Sequence, residues 1–542
     1  MINHPYRQIT SRPSNVVLLV LAFAALAVHV SASAFCAYGY FRDELYYLAC
    51  TEHPDLGYVD QPPLSIYILA LNRLVLGDSL VALRFLPAVA HALTVLLAGL
   101  IARQMGGGRR AQTLAAFACL ASPIYLGMNG IYSMNCFDIL VWTATAYVFT
   151  LILRPGSGHV GEDGRGTEDG GSTARTAPTG IEPRLWLLLG LLLGIGLLNK
   201  ISVLWLGGGI TAGLLLTHHR RVLRSPWPWI AGGLALLLFL PYVIWNIRHD
   251  FAHLEFIRNA SGGKYSSLNP LTFITGQVML QNPLALPLWI AGLASVLFGR
   301  LSRTFRPLGI VYLFCFLVLM LNGHSKAEYL SASYAMLFAA GGVAVEGFAE
   351  ARRLRWIPPA FAALLLVSGC VMAPFAEPLL PVKSFIAYED ALGVAPSTPE
   401  GKHLDRLPQF YADMFGWEEK AAAVARAFNA LPQKDKDRCA LFADNYGRCA
   451  AIDFFGARYG LPKSIGNHNS YWVWGPRGYT GEVLMILGGN PEEHKRYFEE
   501  VTVVDTTSCT YCMPYENHLT ISLCRRMKVP LQEAWARIRH YE

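Results

Sequence analysis

Through the first 375 residues, long apolar runs follow one another, each broken by a short polar or basic stretch. A helix needs about 20 mostly apolar residues to cross the hydrocarbon core of a bilayer. The pattern predicts spans at 16–38, 80–102, 111–127, 131–153, 185–198, 201–217, 227–245, 281–299, 307–321, 329–349 and 356–375. Segment 63–76 is apolar but interrupted, a twelfth span or a helix lying at the interface. The run 16–38 is too long for a cleaved signal peptide, so it is expected to remain as the first helix. Beyond Glu377 the period changes. Helical spacing at Trp417–Leu431 and strand-like runs at Ala440–Ala443 and Val483–Leu487 predict a soluble α+β domain. The expected architecture is a mostly α, polytopic membrane helix bundle over residues 1–375, followed by that domain over 376–542.

Composition agrees. Hydrophobic residues make up 53% of the 542 and charged ones only 15%, against about 25% charged in a soluble domain. The net charge of +7 does not point to nucleic acid, because the basic residues sit in short clusters between apolar runs. Arg103, Arg109, Arg110, Arg154, Arg220, Arg221, Arg224, Arg300, Arg303, Arg306, Arg352, Arg353 and Arg355 crowd one set of loops, and the opposite loops of the membrane part hold fewer basic residues, eight in all: Arg42, Arg73, Arg84, Lys200, Arg248, Arg258, Lys264 and Lys326. Cytoplasmic loops carry the excess of Lys and Arg. This places the N-terminus in the cytoplasm and everything after residue 375 outside it, in a plasma (inner) membrane. Residues 155–182, rich in Gly, Ser, Thr and charge, are expected to be a disordered cytoplasmic loop.

Six of the eleven cysteines lie in the membrane part and five in the terminal domain: Cys439, Cys449, Cys509, Cys512 and Cys524. Cys509-Thr-Tyr-Cys512 has metal or redox spacing, but a second pair of zinc ligands is not evident. In an exported domain structural disulfides are the expectation.

The candidate chemistry gathers on the non-cytoplasmic side. The first outer loop reads Phe41-Arg-Asp43-Glu44-Leu-Tyr-Tyr, then Gly57-Tyr-Val-Asp60-Gln61-Pro-Pro-Leu. Adjacent acids in a loop are ordinarily just solvated, but these are flanked by aromatics at a membrane boundary, where carboxylates are costly unless used. Asp138 lies one to two turns inside the outer end of its predicted helix, a depth at which an ionisable group points to function. Lys200 and Lys326 are cations at the same face. Each alone is as readily an interfacial anchor; beside the acids they suggest a pocket that holds a phosphate while a carboxylate works nearby. His249 is most simply a plain loop histidine, yet with its neighbour Asp250 and with Asp60 it would offer three scattered ligands for a divalent ion.

These motifs, with Asn135-Cys-Phe-Asp138, Leu198-Asn-Lys200 and Lys326-Ala-Glu-Tyr329-Leu in this order, resemble bacterial glycosyltransferase family 39. Its members are membrane-embedded relatives of protein O-mannosyltransferases and of the transferase that adds aminoarabinose to lipid A. The resemblance covers roughly residues 10–375. It implies an inverting transfer of a sugar from a polyprenyl-phosphate donor to an extracytoplasmic lipid, glycan or protein acceptor. It also implies that Asp43 is the base, that Glu44 and Asp138 support it, and that Asp60, Gln61, Lys200, Lys326 and Tyr329 face the donor. The aminoarabinose transferase carries a lysine before its Pro-Pro pair where this chain has Gln61, which leaves the phosphate contact to Lys200 or Lys326. A lipid or sugar transporter is the rival reading. Against it stand carboxylates crowded at one face and the lack of an inverted repeat.

Overall fold

The structure, a computed structural model, describes residues 15–154, 182–264, 269–398 and 400–542; the expected loop at 155–182 lies, but for its last residue, outside them. The helical part runs through α1 (Val16–Phe35), α2 (Arg42–Thr51), α3 (Leu64–Leu76), α4 (Leu80–Gln104), α5 (Arg109–Leu120) and α6 (Pro123–Asn129). It continues with α7 (Met134–Leu153), α8 (Pro183–Asn199), α9 (Val203–Leu215), α10 (Trp227–Arg248) and α11 (Ala252–Asn259). It closes with α12 (Pro270–Leu280), α13 (Leu286–Leu297), α14 (Ser302–Asn322), α15 (Tyr334–Ala351) and α16 (Ile357–Ala376). Among the described residues seven helices are long and apolar enough to cross a membrane, and nine spans result if two bent pairs count as one each. The chain is a multi-pass membrane protein. Helices α8 and α9, which the sequence pattern counts as spans, are apolar but only 17 and 13 residues long.

The two bent spans have physical causes. Between α5 and α6 the axis turns by 58°, where Pro123 has no N–H to carry the helical ladder across Ser122. Between α12 and α13 it turns by 94°, at Asn282 (φ 72°) followed by Pro283. The two breaks meet. Asn282 Nδ2 donates to the Ala121 carbonyl (3.2 Å) and to Ser368 Oγ (2.8 Å), and Ser122 Oγ donates to Gln281 Oε1 (3.1 Å). Hydrocarbon offers no water to freed backbone groups, so they must be satisfied within the protein. Elsewhere small residues let helices touch: a Cβ on Gly292 of α13 would run into the Leu337 carbonyl of α15, and one on Gly341 into that of Leu288.

The C-terminal region carries a five-stranded mixed sheet in the order β2-β1-β3-β5-β4. The strands are β1 (Cys439–Ala443), β2 (Ile465–Gly466), β3 (Val483–Leu487), β4 (Phe498–Thr506) and β5 (Thr520–Met527). β1 pairs in parallel with β2 and β3, while β5 lies antiparallel to β3 and β4. The expected strands are present, and the expected helix spans Trp417–Asn429. Central β3 is buried along its whole length, as a continuous apolar run requires. One face of the sheet shares its core with α2: Leu45, Tyr46 and Tyr47 pack with Phe428, Leu441 and Tyr446. All eleven cysteines are unpaired, so the expected structural disulfides are not formed. Cys439, Cys449 and Cys524 instead fill the core as small apolar side chains.

Candidate active site

The first outer segment, read from sequence as a loop, begins with α2. Its N-cap is Phe41, whose amide donates to Glu44 Oε2 at 2.8 Å. A carboxylate three residues into a helix satisfies a free N–H and suits the positive end of the helix dipole. Glu44 is wholly buried. Arg84 of α4 donates Nε to its Oε1 (2.9 Å) and Nη2 to its Oε2 (2.8 Å), and the Tyr132 amide adds a bond to Oε1 (2.7 Å). With both oxygens so engaged, Glu44 pins α2 to α4 and to the approach of α7.

Its neighbour Asp43 points elsewhere. The side chain is 38% exposed, and Oδ1 accepts from the Tyr446 hydroxyl (2.8 Å) and from Arg42 Nε (3.4 Å). Oδ2 has no hydrogen bond among the described residues. Arg42 is buried and held by Tyr515 (Nη1 to the hydroxyl, 3.2 Å), Asp413 (3.7 Å) and Glu400 (3.8 Å). Burial pushes the Asp413 carboxyl up to about 6 against the pull of Arg42. These residues hold Asp43 from one side and leave the other open.

A second cluster sits at the outer end of α7. Ser202 Oγ lies 2.8 and 3.0 Å from the two oxygens of Asp138, and Lys200 Nζ lies 3.7 Å from Oδ2. Lys200 also donates to Asn135 Oδ1 (2.7 Å) and stands 4.8 Å above the Tyr329 ring. Asn135, Asp138, Lys200, Glu328 and Tyr329 line a narrow cleft. The clusters are joined through Tyr47, one turn after Asp43 on α2 and therefore on the same helix face. Its hydroxyl accepts from the Met134 amide (3.2 Å), the residue before Asn135.

The other expected residues are arranged as follows. Asp60 accepts from Tyr46 (2.9 Å), whose oxygen in turn takes the Ser470 amide (3.2 Å). Gln61 is fully buried, and its amide group has no hydrogen-bond partner among the described residues. Lys326 pairs with Glu328 at 3.7 Å, beside the cleft. His249 is drawn back onto its own helix: Nδ1 meets the Trp245 carbonyl at 2.9 Å, and the ring stacks on Trp245. It is His253 that faces the Asp60 loop, through the Val59 carbonyl (2.9 Å). Among the described residues no group of three His, Cys, Asp or Glu side chains would hold a metal ion.

Beside this geometry stand four likenesses, two in sequence and two in fold. Residues 60–159 and 176–245 match the family model described as dolichyl-phosphate-mannose-protein mannosyltransferase. The resemblance to glycosyltransferase family 39 holds. The chain is 26% identical over 243 residues to a lipid A galacturonosyltransferase, RgtD, of Rhizobium johnstonii, a match that spans 44% of each chain. In fold it is similar to ArnT of Cupriavidus metallidurans bound to undecaprenyl phosphate, with a TM-score of 0.60 at 12% identity, over 94% of this chain and 98% of that one. The oligosaccharyltransferase of Archaeoglobus fulgidus is similar at a TM-score of 0.50 and 13% identity, over 83% of this chain and 64% of that one. The fold is thus similar to that of ArnT over 94% of the chain.

Sequence reasoning passed over Tyr446, Arg42, Arg84 and Ser202. Ser202 and Arg42 left local traces, two residues after Lys200 and next to Asp43, whereas Tyr446 and Arg84 meet their acids across 403 and 40 residues of chain.

Proposed function

We propose that this protein is an inverting glycosyltransferase that moves a sugar from a polyprenyl-phosphate donor to an acceptor of the cell envelope. Residues 1–375 are the transferase part and residues 376–542 an extracytoplasmic domain, oriented by the arginine asymmetry of the loops. The observation that carries the reading is the half-open carboxylate of Asp43, held on one oxygen and joined through Tyr47 to the cleft that contains Lys200. In the reaction Asp43 takes the proton of the acceptor hydroxyl as its oxygen attacks the anomeric carbon. The anomeric C–O bond to the phosphate breaks, and the electron pair leaves with the lipid phosphate. That leaving group is a stable anion, so no strong general acid is required. Lys200 and Lys326 neutralise its charge, Asp138 and Ser202 fix Lys200, and Tyr329 borders the donor. The work is orientation, charge neutralisation and base catalysis.

The relative that acts on lipid A makes that lipid the first acceptor to test. Purified protein incubated with a polyprenyl-phosphate sugar and lipid A is expected to yield an acceptor heavier by one glycosyl residue in mass spectrometry. Envelope lipids and glycans of cells with and without the protein extend the search. Unchanged mass for every lipid, glycan and protein acceptor, with donor left intact, would sink the proposal.

A further inference from the structure

Between β4 and β5 a closed loop carries Cys509, Cys512, Tyr515 and Glu516. Its neck is tied by Thr507 and Leu519, whose amide and carbonyl pair at 2.9 Å. Asn517 clamps it further, accepting from the Cys509 amide (2.9 Å) and donating to the Cys509 carbonyl (2.8 Å). Inside this clamp the Cys512 amide donates to Cys509 Sγ at 3.2 Å. Cys509 is partly exposed, whereas Cys512 is buried.

Gly416 marks the spot where a cation approaches. A Cβ there would stand 2.9 Å from Cys509 Sγ and 3.0 Å from Lys420 Nζ, and the backbone is left-handed (φ 85°), so only glycine fits easily. Lys420 is itself buried and paired with Glu516 at 3.6 Å. The Cys512 thiol, the amides of Tyr511 and Cys512, and Lys420 all favour the Cys509 thiolate and hold its pKa below the ordinary thiol value. Burial does the opposite to Cys439 and Cys524, each pushed up to about 12. Cys512 also borders a shallow surface crevice with Thr510, Tyr511 and, from another segment, Asp405, Arg406 and Leu407. A nucleophilic thiolate needs such a setting: a nearby cation, amide donors and access.

We propose that Cys509 and Cys512 form a redox-active dithiol that exchanges with a disulfide presented to the partly exposed Cys509. The Cys509 thiolate attacks one sulfur of the incoming disulfide, whose S–S bond breaks, and the first thiol leaves with a proton. Cys512 then gives up its proton and attacks Cys509, expelling the second thiol. Two protein thiols are oxidised and the partner disulfide is reduced to two thiols. The same loop reaches the carboxylate assigned above. Tyr515 binds Arg42 (3.2 Å), Glu516 binds Arg448 (3.0 Å), and Arg42 contacts Asp43. The state of the dithiol is therefore felt at Asp43, a consequence that rests on the glycosyltransferase reading.

The test uses the full chain in lipid nanodiscs, equilibrated over a series of reduced-to-oxidised glutathione ratios. Remaining thiols are tagged with a maleimide polymer, and the cysteine peptides are mapped by mass spectrometry. Cys509 and Cys512 are expected to lose their tags together, giving one disulfide-linked product. Cys512→Ser should accumulate a glutathione adduct on Cys509, and Cys509→Ser should accumulate none. Tags retained at every ratio, or a disulfide that resists reduction until the protein unfolds, overturn the proposal. Sugar transfer measured on the same samples should differ at least threefold between the two ends of the series, and should be flat in the double serine variant. Equal transfer at both ends removes the link to Asp43. A dithiol that titrates in a protein with no transfer in either form fails the glycosyltransferase reading and leaves the dithiol standing.

Discussion

Tyr446 donates a hydrogen bond of 2.8 Å to Oδ1 of Asp43 across 403 residues of chain. The carboxylate at the start of α2 is thus positioned by the C-terminal region as much as by its own helix. If Asp43 is the base, Asp43→Asn keeps its size and removes its basicity, and turnover should fall by roughly 10²–10⁴. Tyr446→Phe should cost less, on the order of tenfold, the value of about 1.5 kcal/mol for a hydrogen bond to a charged group. Both are read as kcat in a transfer assay beside a donor-binding measurement that stays near wild type. Normal turnover in Asp43→Asn removes the base assignment.

Lys200 should act on binding. Lys200→Met is expected to raise the donor Kd by about 10- to 150-fold, as loss of a charge-assisted contact worth about 1.5–3 kcal/mol implies. Lys326→Ala should also weaken donor binding before turnover, since it lies beside the same cleft through Glu328. Titration of each variant with an undecaprenyl-phosphate sugar checks this. Unchanged affinity in both would move the phosphate site away from these cations.

Adjacent acids should separate by phenotype. Glu44→Gln leaves Arg84, which is 2% exposed, without its anion, and breaking a buried pair costs about 3–5 kcal/mol. The variant should melt well below wild type in a thermal scan, whereas Asp43→Asn should melt like wild type. Equal melting of Glu44→Gln and wild type would show that the pair does not hold α2.

The third acid is Asp413, whose folded pKa is pushed up to about 6 by burial. Between the ordinary carboxylate value, about 4, and pH 6 the folded state binds the extra proton, so this group makes stability fall as pH rises. Above that window its contribution is flat. Asp413→Asn lacks the effect, so its melting temperature should gain on wild type between pH 4 and pH 6. A gap between the two proteins that is constant over that range would contradict the assignment.

Much of this was legible in the sequence because the bilayer writes it there. Apolar runs marked the spans, and β1 and β3 stood out as apolar stretches bounded by polar residues. The bends at Pro123 and Asn282 were hidden, since a proline within an apolar run marks a helix start as readily as a break. α12, the first half of the bent pair whose second half lies in the predicted span 281–299, was overlooked, being short and flanked by polar residues. Asp138, Lys200 and Tyr329 were found because ionisable and aromatic groups at a membrane face are conspicuous. Their arrangement, with Lys200 above Tyr329 and against Asp138, depends on how α7, α8 and the turn before α15 pack. α2 read as a loop because its helicity rests on the Glu44 cap and on burial against residues hundreds of positions away.

That sharing of one core by α2 and the C-terminal sheet has a consequence for how the protein is made. Synthesis runs from the N-terminus, so α2 emerges early and its packing partners Phe428, Leu441 and Tyr446 emerge late. Through most of translation the helix that bears Asp43 docks only on its membrane-side neighbours, α3, α4 and Tyr132, and lacks its C-terminal partners. Its carboxylate stays unoriented while the spans insert one after another. The surroundings of Asp43 are completed only once the segment from Phe428 to Tyr446 has been made and has folded, so a ribosome that stops before it releases a membrane protein with the expected spans and an unoriented Asp43.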